Sequence, residues 1–291
     1  MLGLKHGTVA LFDHRTEWET EAERTIEKLK SILGEVVCDI AHVGSTSIKS
    51  IKAKPIIDIA VAVESFEEVL AFVDDLELNG FYYRPASMPK NQLLFACGPY
   101  YEGTGEEQTH FIHVVKKNSM EWINYINFRD YLNENADVAV EYEKLKVSLA
   151  QRCPQDSGRE KYLAGKHDFI VSVLRTALVK SYLGKTVTVE IDRPIGTPHP
   201  KHPEIIYPVN YGYIPNVIGG DGEELDVYVL GIDERITEPV ELRIIGIVYR
   251  RDDDEDKLVG APEGKTFSVE EMERIIHFQE QFHDSYVEDT K

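Results

Sequence analysis

The pattern of apolar residues changes near residue 180 of the 291-residue chain. Before this point, apolar residues recur at helical spacing over long segments such as WETEAERTIEKLKSILG, with short strand candidates such as PIIDIAVAV and HFIHVV between them. After it, strand candidates such as VELRIIGIVYR alternate with turns rich in Pro and Gly. The change predicts two domains, residues 1–178 and residues 182–291, because a chain of this length accommodates two domains of ordinary size.

The two halves predict different architectures within an α+β chain. Helices around interspersed strands predict an α/β domain in the first half. Strands joined by short turns, followed by one amphipathic helix, predict a small antiparallel β-barrel with a terminal helix in the second half. Capping boxes are predicted at the starts of two helices, one formed by Ser65 with Glu68 and one by Ser268 with Glu271.

The chain is strongly acidic, with 51 Asp and Glu residues against 32 Lys and Arg residues and a formal charge of −19. Such a charge disfavours binding to nucleic acid and to anionic membranes, but not to metal cations. No stretch approaches the ~20 apolar residues of a membrane span, and the three cysteines, Cys38, Cys97 and Cys153, form no CxxC pair. We therefore expect a cytoplasmic protein with reduced thiols and with neither a nucleic-acid nor a membrane partner.

Three carboxylates lie close together in YPVNYGYIPNVIGGDGEELDVYVLG, which spans residues 207–231. Asp221 and Glu223 occupy a turn rich in glycine, and Asp226 begins the strand that follows. A second acidic run, RRDDDEDKLVG, ends at Lys257 and is expected to approach the first if the strands pair. In isolation these runs are also typical of a solvent-exposed hairpin turn and a charged loop, whereas together they offer the oxygen ligands that Mg²⁺ prefers.

Tyrosines precede the first acidic run at alternating positions. Tyr207, Tyr211 and Tyr213 share one face of a predicted strand, because side chains alternate along a strand. A phenol that points into a cation-rich site can donate a hydrogen bond to a phosphate oxygen. The order of tyrosines, carboxylates and lysine therefore favours a phosphate-binding site over a plain turn.

Residues 185–287 resemble the soluble, Mg²⁺-dependent inorganic pyrophosphatases. That family carries Y-P-x-N-Y-G-Y followed by D-G-D-P-x-D-V, and this chain has YPVNYGY and DGEELDV. The resemblance implies an oligonucleotide-binding-fold barrel, Mg²⁺ or alternatively Mn²⁺ as cofactor, a phosphoanhydride substrate and, as one expectation, a homo-oligomer. The metal ligands that it implies are Asp221, Glu223, Asp226, Asp252 and Glu255. The other site residues that it implies are Glu190, Tyr207, Tyr211 and Lys257.

The chain departs from this family at several positions. Glu223 stands where the family has Asp, and Phe282-His283 stand where it has Tyr-Lys. The segment between Glu190 and Tyr207 is shorter than the hairpin that carries basic phosphate ligands in the family. Arg193, His199 and Lys201 are the candidates to replace those ligands. The substrate is therefore expected to be pyrophosphate or another phosphoanhydride, with Asp226 orienting the water and Lys257 and Arg193 stabilising phosphoryl charge.

A second candidate site lies in AHVGSTSIKSIKAKPIIDIAVAV, residues 41–63. Gly44-Ser45 end one predicted strand, and Asp58 lies on the next. A Gly-Ser turn that opens a helix can bind phosphate through backbone N–H groups, and a nearby carboxylate can hold Mg²⁺. This pattern alone is weak, since Asp58 can equally make a structural hydrogen bond.

The wider pattern of HVGSTS, AKPIIDI, HFIHVV and FRDYL resembles the GrpB family over about residues 8–175. The resemblance implies a nucleotidyltransferase fold, with Ser45 at the phosphate turn, Asp58 at the metal position and a nucleotide as ligand. The residues that fall in the recurrent segments are His42, Gly44, Lys54, His110, His113, Arg129 and Asp130. Nucleotidyltransferases carry D-x-D on the metal-binding strand, but here the sequence is Asp58-Ile59-Ala60. His110 and His113 either complete a metal site or, being three apart on a strand, face opposite sides.

Two functions remain open from the sequence. In the first, the chain is a bifunctional enzyme, in which hydrolysis of pyrophosphate by the second half favours nucleotidyl transfer by the first half. Alternatively, it is a binding or scaffold protein built from two degenerate enzyme folds, as the missing carboxylate and missing basic ligands suggest.

Overall fold

The computed structural model of the chain describes residues 2–5, 7–87, 91–98, 107–152 and 159–290. The chain divides into two compact units, Met1–Leu174 and Arg175–Lys291. Cys38 and Cys97 are free thiols, and Cys153 lies outside the described residues. Within the described ranges, no helix combines the length and the apolar character needed to cross a membrane.

The first unit combines helices with a five-stranded sheet. Its helices, the last of which continues into the second unit, are α1 (Thr16–Leu33), α2 (Phe66–Leu70), α3 (Val73–Leu78), α4 (Met120–Glu134), α5 (Ala136–Arg152), α6 (Arg159–Ala164) and α7 (His167–Tyr182). Its strands are β1 (Asp39–Val43), β2 (Ile57–Val63), β3 (Tyr82–Tyr83), β4 (Gln92–Cys97) and β5 (His110–Lys116).

The first sheet has the order β1-β2-β5-β4-β3. Strands β2 and β5 pair in parallel, with Asp58 opposite Phe111, and the other pairs are antiparallel. Strand β2 is buried almost throughout, which explains its continuous apolar sequence. The amphipathic helix α1 contributes Trp18 and Leu29 to the core on this sheet.

One predicted helix is two helices in the structure. The segment that follows Ser65 forms α2 and α3 instead of one helix. The predicted capping box at Ser65 is wrong, because its hydroxyl donates a 2.5 Å hydrogen bond to the carboxylate of Glu67 and caps no backbone N–H. The capping box of Ser268 and Glu271 is confirmed, with both reciprocal hydrogen bonds formed.

The second unit is rich in strands and has one helix near its end. Its strands are β6 (Thr186–Arg193), β7 (Asn210–Ile218), β8 (Glu224–Val229), β9 (Val240–Arg250), β10 (Lys257–Ala261) and β11 (Ser285–Asp289). The helix is α8 (Val269–Glu280). Strands β10 and β11 were not predicted from the sequence.

The second sheet has the order β10-β8-β7-β6-β9-β11, and β10 also pairs with β9. The pairings therefore lead from β6 through β7, β8, β10 and β9 back to β6. The expectation of a wholly antiparallel arrangement is wrong, because β10 pairs in parallel with β8. A circuit of five paired strands cannot be antiparallel throughout, because an odd number of strands cannot alternate in direction around it.

Candidate functional site

The two acidic runs of the second unit lie side by side, as predicted. At Gly220, in the glycine turn, an added Cβ would lie 2.1 Å from the carbonyl oxygen of Asp254 in the second run. Only glycine allows this approach of one backbone to the other. The close packing of the two runs positions the strands β8 and β10, on which Asp226 and Lys257 lie.

Lys257 lies at the centre of the candidate site. It is the first residue of β10, and its side chain is 1% exposed. Its ammonium donates hydrogen bonds of 2.5 Å to the Asp226 carboxylate, the Glu255 carboxylate and the Tyr211 hydroxyl. The Tyr211 hydroxyl in turn donates a hydrogen bond to Asp226. Four of the predicted site residues therefore converge on one point.

The pKa values of the two carboxyl groups at this point are shifted in opposite directions. Burial tends to raise the pKa of Asp226, but a hydrogen bond with Glu255 and the Lys257 ammonium outweigh it and lower this pKa. Burial and the neighbouring Asp226 raise the pKa of Glu255 to about 7. Burial and Asp226 also hold the pKa of Tyr211 well above its usual range. At neutral pH, Asp226 is thus a carboxylate beside a protonated phenol.

Arg250, which the sequence analysis did not identify, lies behind this cluster. Its buried guanidinium donates to Glu255 at 2.9 Å, to Asp253 at 3.1 Å and to Glu280 at 2.6 and 3.1 Å. Burial alone would favour a neutral group here, but four bonds to carboxylates stabilise the charge. The position of Arg250 at the start of RRDDDEDKLVG is the sequence feature that could have indicated its role.

A second basic residue also binds the acidic run. Arg175 donates to both carboxylate oxygens of Asp256, at 2.8 and 2.5 Å, and Asp256 is 4% exposed. The bidentate geometry is the strongest form of this ion pair. No sequence pattern indicated the contact, because Arg175 lies in α7. Asp253, Glu255 and Asp256 of the run are therefore held in ion pairs, whereas Asp252 and Asp254 are exposed.

Arg193 lies over the aromatic part of the site. Its guanidinium carbon is 4.9 Å from the ring centroid of Tyr211 and 5.7 Å from that of Tyr207, and it donates to the Tyr207 hydroxyl at 3.0 Å. Tyr207 precedes β7 instead of lying on it, yet its ring packs at 5.1 Å from Tyr211. The Tyr213 hydroxyl donates a hydrogen bond of 2.9 Å to the Glu190 carboxylate.

Arg193 and His199, two of the three candidates that were expected to replace the missing phosphate ligands, contact Tyr207. The ring of His199 stacks on Tyr207 at 6.1 Å with an interplanar angle of 7°. Lys201 is exposed, and its backbone N–H donates to Nδ1 of His199. The cations of Arg193 and Lys257 help to lower the pKa of His199, after the larger effect of burial. The site thus combines several basic groups in an acidic chain.

The remaining expected metal ligands are exposed. Asp221 accepts the backbone N–H of Glu223 at 3.0 Å within the glycine turn. Asp252 accepts the backbone N–H of Asp284 at 3.1 Å and lies 3.6 Å from the ring of His283. Within the described part of the chain, no group of three or more His, Cys, Asp or Glu side chains is placed to hold a metal ion.

The chemistry of the donors nevertheless fits Mg²⁺. All five expected ligands are carboxylates, the hard oxygen donors that this ion prefers. The carboxyl groups of Asp226 and Glu255 both lie 2.5 Å from the ammonium nitrogen of Lys257. Two carboxyl groups this close together require a proton or a cation between them. In the structure, the Lys257 ammonium is that cation.

The first unit contains a cavity of about 450 Å³. Three of the predicted binding residues, Ser45, Lys54 and Asp58, line it, together with His113. Gly44 packs directly against Asp58: an added Cβ would lie 2.5 Å from Oδ2, and the backbone φ of +69° also favours glycine. The Gly-Ser turn opens a short 3-10 helix, Ser45–Ser47.

The two histidines of β5 make different contacts. His113 lies 3.1 Å from the Asp58 carboxylate, whereas His110 contacts the Thr25 hydroxyl at 3.1 Å and lies 3.5 Å from Glu21. The interpretation that both complete one metal site is therefore wrong, and they lie on opposite sides of the sheet. The alternation of side chains along the strand is the reason.

His42 lines a second cleft, of about 280 Å³, together with Arg129. The carbonyl oxygen of His42 accepts a hydrogen bond from Arg129 at 3.2 Å, and Arg129 pairs with Asp130 at 2.7 Å. Burial lowers the pKa of His42 to about 4, and its ring contacts the Thr46 hydroxyl at 3.0 Å. His42 therefore lines this cleft, whereas Ser45 and Lys54 line the larger cavity.

Comparison with known proteins gives a match for each half. Residues 8–176 match the family described as GrpB protein, and residues 181–288 match the family described as inorganic pyrophosphatase. The glutamate-rich protein GrpB of Alkalihalophilus pseudofirmus is 39% identical over 175 residues, which cover 60% of this chain and 98% of that protein. The inorganic pyrophosphatase of Saccharolobus solfataricus is 36% identical over 109 residues; the match covers 32% of this chain and 60% of that enzyme's length.

A solved structure also resembles the first half. The structure of the conserved protein GrpB from Enterococcus faecalis is similar with a TM-score of 0.54 and 33% sequence identity. The similarity covers 60% of this chain and 99% of that one.

Proposed function

We propose that the second unit hydrolyses pyrophosphate or a related phosphoanhydride. The chain belongs to the GrpB family through residues 8–176 and carries an inorganic pyrophosphatase domain at residues 181–288. The observation that carries the proposal is the convergence of Asp226, Glu255 and Tyr211 on the Lys257 ammonium. A carboxylate that can take a proton and a cation that can neutralise phosphate lie at one point. Both groups accelerate the hydrolysis of an anhydride.

Asp226 is the residue that we assign to the attacking water. Its lowered pKa keeps it ionised at neutral pH, so it can accept the proton of that water. The water oxygen forms a bond to phosphorus, the bridging P–O bond breaks, and two phosphates leave. Lys257 and Arg193 stabilise the charge that develops on the phosphoryl oxygens. Tyr211 stays protonated and donates a hydrogen bond.

Magnesium is part of the proposal. Asp221, Glu223, Asp226, Asp252 and Glu255 are the residues that we expect to hold Mg²⁺, or Mn²⁺ in its place, which when bound neutralises phosphate oxygens and lowers the pKa of water. Exposed side chains such as Asp221 and Asp252 can turn toward a bound cation. Glu190 remains a predicted member of the site, and the pairing circuit of the second sheet supports an oligonucleotide-binding type of barrel around it.

Phosphate release tests this function. The full chain is incubated with pyrophosphate, triphosphate and ATP, each over a range of Mg²⁺ and Mn²⁺ concentrations and in EDTA. We expect release from pyrophosphate that depends on the metal. A chain that releases no phosphate from any of these anhydrides at any metal concentration contradicts the proposal.

For the first unit, we propose that the cavity lined by Ser45, Lys54 and Asp58 binds a nucleotide. The close approach of Gly44 to Asp58 supports it, because a phosphate turn and a carboxylate then share one cavity. If this unit transfers a nucleotidyl group, the pyrophosphate that it releases is the substrate of the second unit. This coupling, a cytoplasmic location and assembly into a homo-oligomer belong to the same proposal.

A scaffold without catalysis is the alternative. The single carboxylate of Asp58-Ile59-Ala60 favours it in the first unit. In the second unit, the Lys257 ammonium between Asp226 and Glu255 favours it, because the chain's own cation occupies the point where the carboxylates meet. Nucleotide binding by the chain, together with no phosphate release in the assay above, would support this alternative.

A further inference from the structure

Two lysines of the first unit converge on one buried aromatic ring. Tyr162, on α6, is 2% exposed and packs against Val9. The ammonium of Lys54 lies 4.5 Å from the centroid of its ring, and that of Lys166 lies 4.8 Å from the same centroid. Lys54 precedes β2 and Lys166 lies in the turn between α6 and α7, so the fold brings them together from distant parts of the sequence. Two like charges at one ring concentrate positive potential there.

Both lysines line the cavity of about 450 Å³, and so does Lys5. Among the described residues that line it, Asp58 is the acidic one, and His113 lies 3.1 Å from its carboxylate. The lining therefore has an excess of positive charge, although the chain as a whole carries −19. Low-dielectric walls strengthen the attraction of such a lining for an anion.

The rest of the lining is apolar. Ile56, Leu94 and Phe111 contribute to the cavity wall. The cavity volume falls in the ~300–1,000 Å³ range of small-molecule sites. A bare inorganic anion would leave this apolar surface without contacts. The complementary ligand therefore has an anionic group for the lysines and an organic body for the apolar wall.

We infer that this cavity binds a small organic phosphate, whose phosphate group is held by Lys54 and Lys166 beside Tyr162. The inference rests on the ligand-binding role proposed above for the first unit, and it adds Lys166 and Lys5 to the residues that the sequence indicated. It does not depend on the hydrolase of the second unit. Nucleotides are one class of such ligands, and phosphorylated small metabolites are another.

Calorimetric titration of the full chain in EDTA tests the inference. The probes are AMP, glycerol 3-phosphate, inorganic phosphate and adenosine, none of which contains an anhydride that the second unit could hydrolyse. We expect at least one organic phosphate to bind, and adenosine to bind about tenfold more weakly than AMP or not at all. Lys166→Met keeps the stem on Tyr162 and removes the charge, so it should weaken binding about tenfold or more.

Matched variants make the outcome decisive. Lys161→Met changes an exposed lysine on the same helix as Tyr162 and should bind like the wild type. Lys166→Arg should restore most of the affinity. If glycerol 3-phosphate binds through Lys166 but AMP does not bind, the nucleotide proposal fails and this inference stands. The inference is overturned if no organic phosphate binds, if adenosine binds as well as AMP, or if Lys166→Met binds as tightly as the wild type.

Discussion

The ammonium nitrogen of Lys257 lies 2.5 Å from Oδ2 of Asp226, and both side chains are largely buried. Breaking a buried ion pair from one side leaves an uncompensated charge, which typically costs about 3–5 kcal/mol. The pair therefore stabilises the second unit as well as forming the centre of the candidate site. Variants at either residue need a measurement of folding beside any measurement of activity.

Asp226→Asn should lower phosphate release from pyrophosphate by about 10²-fold or more, the lower range for loss of a positioned general base. The amide keeps the size of the side chain and cannot accept the proton of water. Asp221→Asn, in the exposed glycine turn, is the matched control and should instead raise the Mg²⁺ concentration needed for half-maximal rate. Steady-state phosphate release, with thermal unfolding of each variant, checks the prediction. An active Asp226→Asn variant would show that another carboxylate acts on the water.

Arg175→Met should destabilise the second unit. Arg175 is mostly buried and makes a bidentate ion pair with Asp256, which is 4% exposed, so the variant leaves a buried carboxylate without this partner. We expect a loss of about 2–4 kcal/mol. Arg243→Met removes an exposed arginine that lies 3.7 Å from Glu263 and should cost less than about 1 kcal/mol. Scanning calorimetry that gave equal losses for the two variants would contradict the importance of the network.

Gly44→Ala should destabilise the first unit more than Gly34→Ala does. Both glycines have positive φ, but a Cβ at Gly44 would collide with the Asp58 carboxylate, whereas a Cβ at Gly34 would meet no atom within 4 Å. The Gly34 variant therefore measures backbone strain alone, about 1–2 kcal/mol. We expect a further loss of about 2 kcal/mol or more at Gly44, in the range for strain in a packed core. Equal losses would mean that Asp58 moves away without cost.

Urea unfolding followed by tryptophan fluorescence suits this comparison. The chain has two tryptophans, Trp18 and Trp122, and both belong to the first unit. The signal therefore reports on that unit, and Gly264→Ala in the second unit is a control that should leave the transition unchanged.

The stability of the first unit should fall as the pH falls from about 6.5 toward 4. Burial lowers the pKa of His42 from 6.5 to about 4 in the folded chain, so between these values the unfolded chain binds a proton that the folded chain does not. The free energy of unfolding is therefore highest above pH 6.5 and falls by up to about 3 kcal/mol as the pH approaches 4. His42→Gln should reduce this slope in urea unfolding.

Other groups contribute to the same pH range. Asp58, Arg129, His14 and His110 interact electrostatically with His42, and the pKa of His110 is itself lowered by burial, so some slope will remain in the His42→Gln variant. His202→Gln, at an exposed position of the second unit, should leave the slope unchanged. A His42→Gln variant with the wild-type slope would contradict the assignment.

Each half should fold when expressed alone. The predicted fragments are residues 1–178 and residues 182–291, but the second lacks Arg175 and its ion pair with Asp256. A fragment of residues 167–291, which contains all of α7, should therefore unfold at a higher temperature than residues 182–291. Cooperative thermal unfolding checks this prediction. If none of the fragments shows a cooperative transition, the two-domain interpretation is wrong.

The sequence by itself determined the local structure and the identity of the candidate groups. Helical periodicity indicated α1 and α8, and the Ser268 capping box formed as predicted, because these features depend on residues within a few positions of each other. The glycine turn and the acidic runs also marked Asp226 and Lys257 as candidate site residues. Strand β10 was not predicted because its five residues are all buried, so apolar and polar residues do not alternate along it.

The tertiary structure alone decided which groups meet. Only the parallel pairing of β10 with β8 brings Lys257 beside Asp226, and only the packing of α7 brings Arg175 to Asp256. The same holds for Lys54 and Lys166, which share the ring of Tyr162. These contacts join residues that are far apart in sequence, so they depend on strand order and helix packing, and no local pattern of amino acids encodes them.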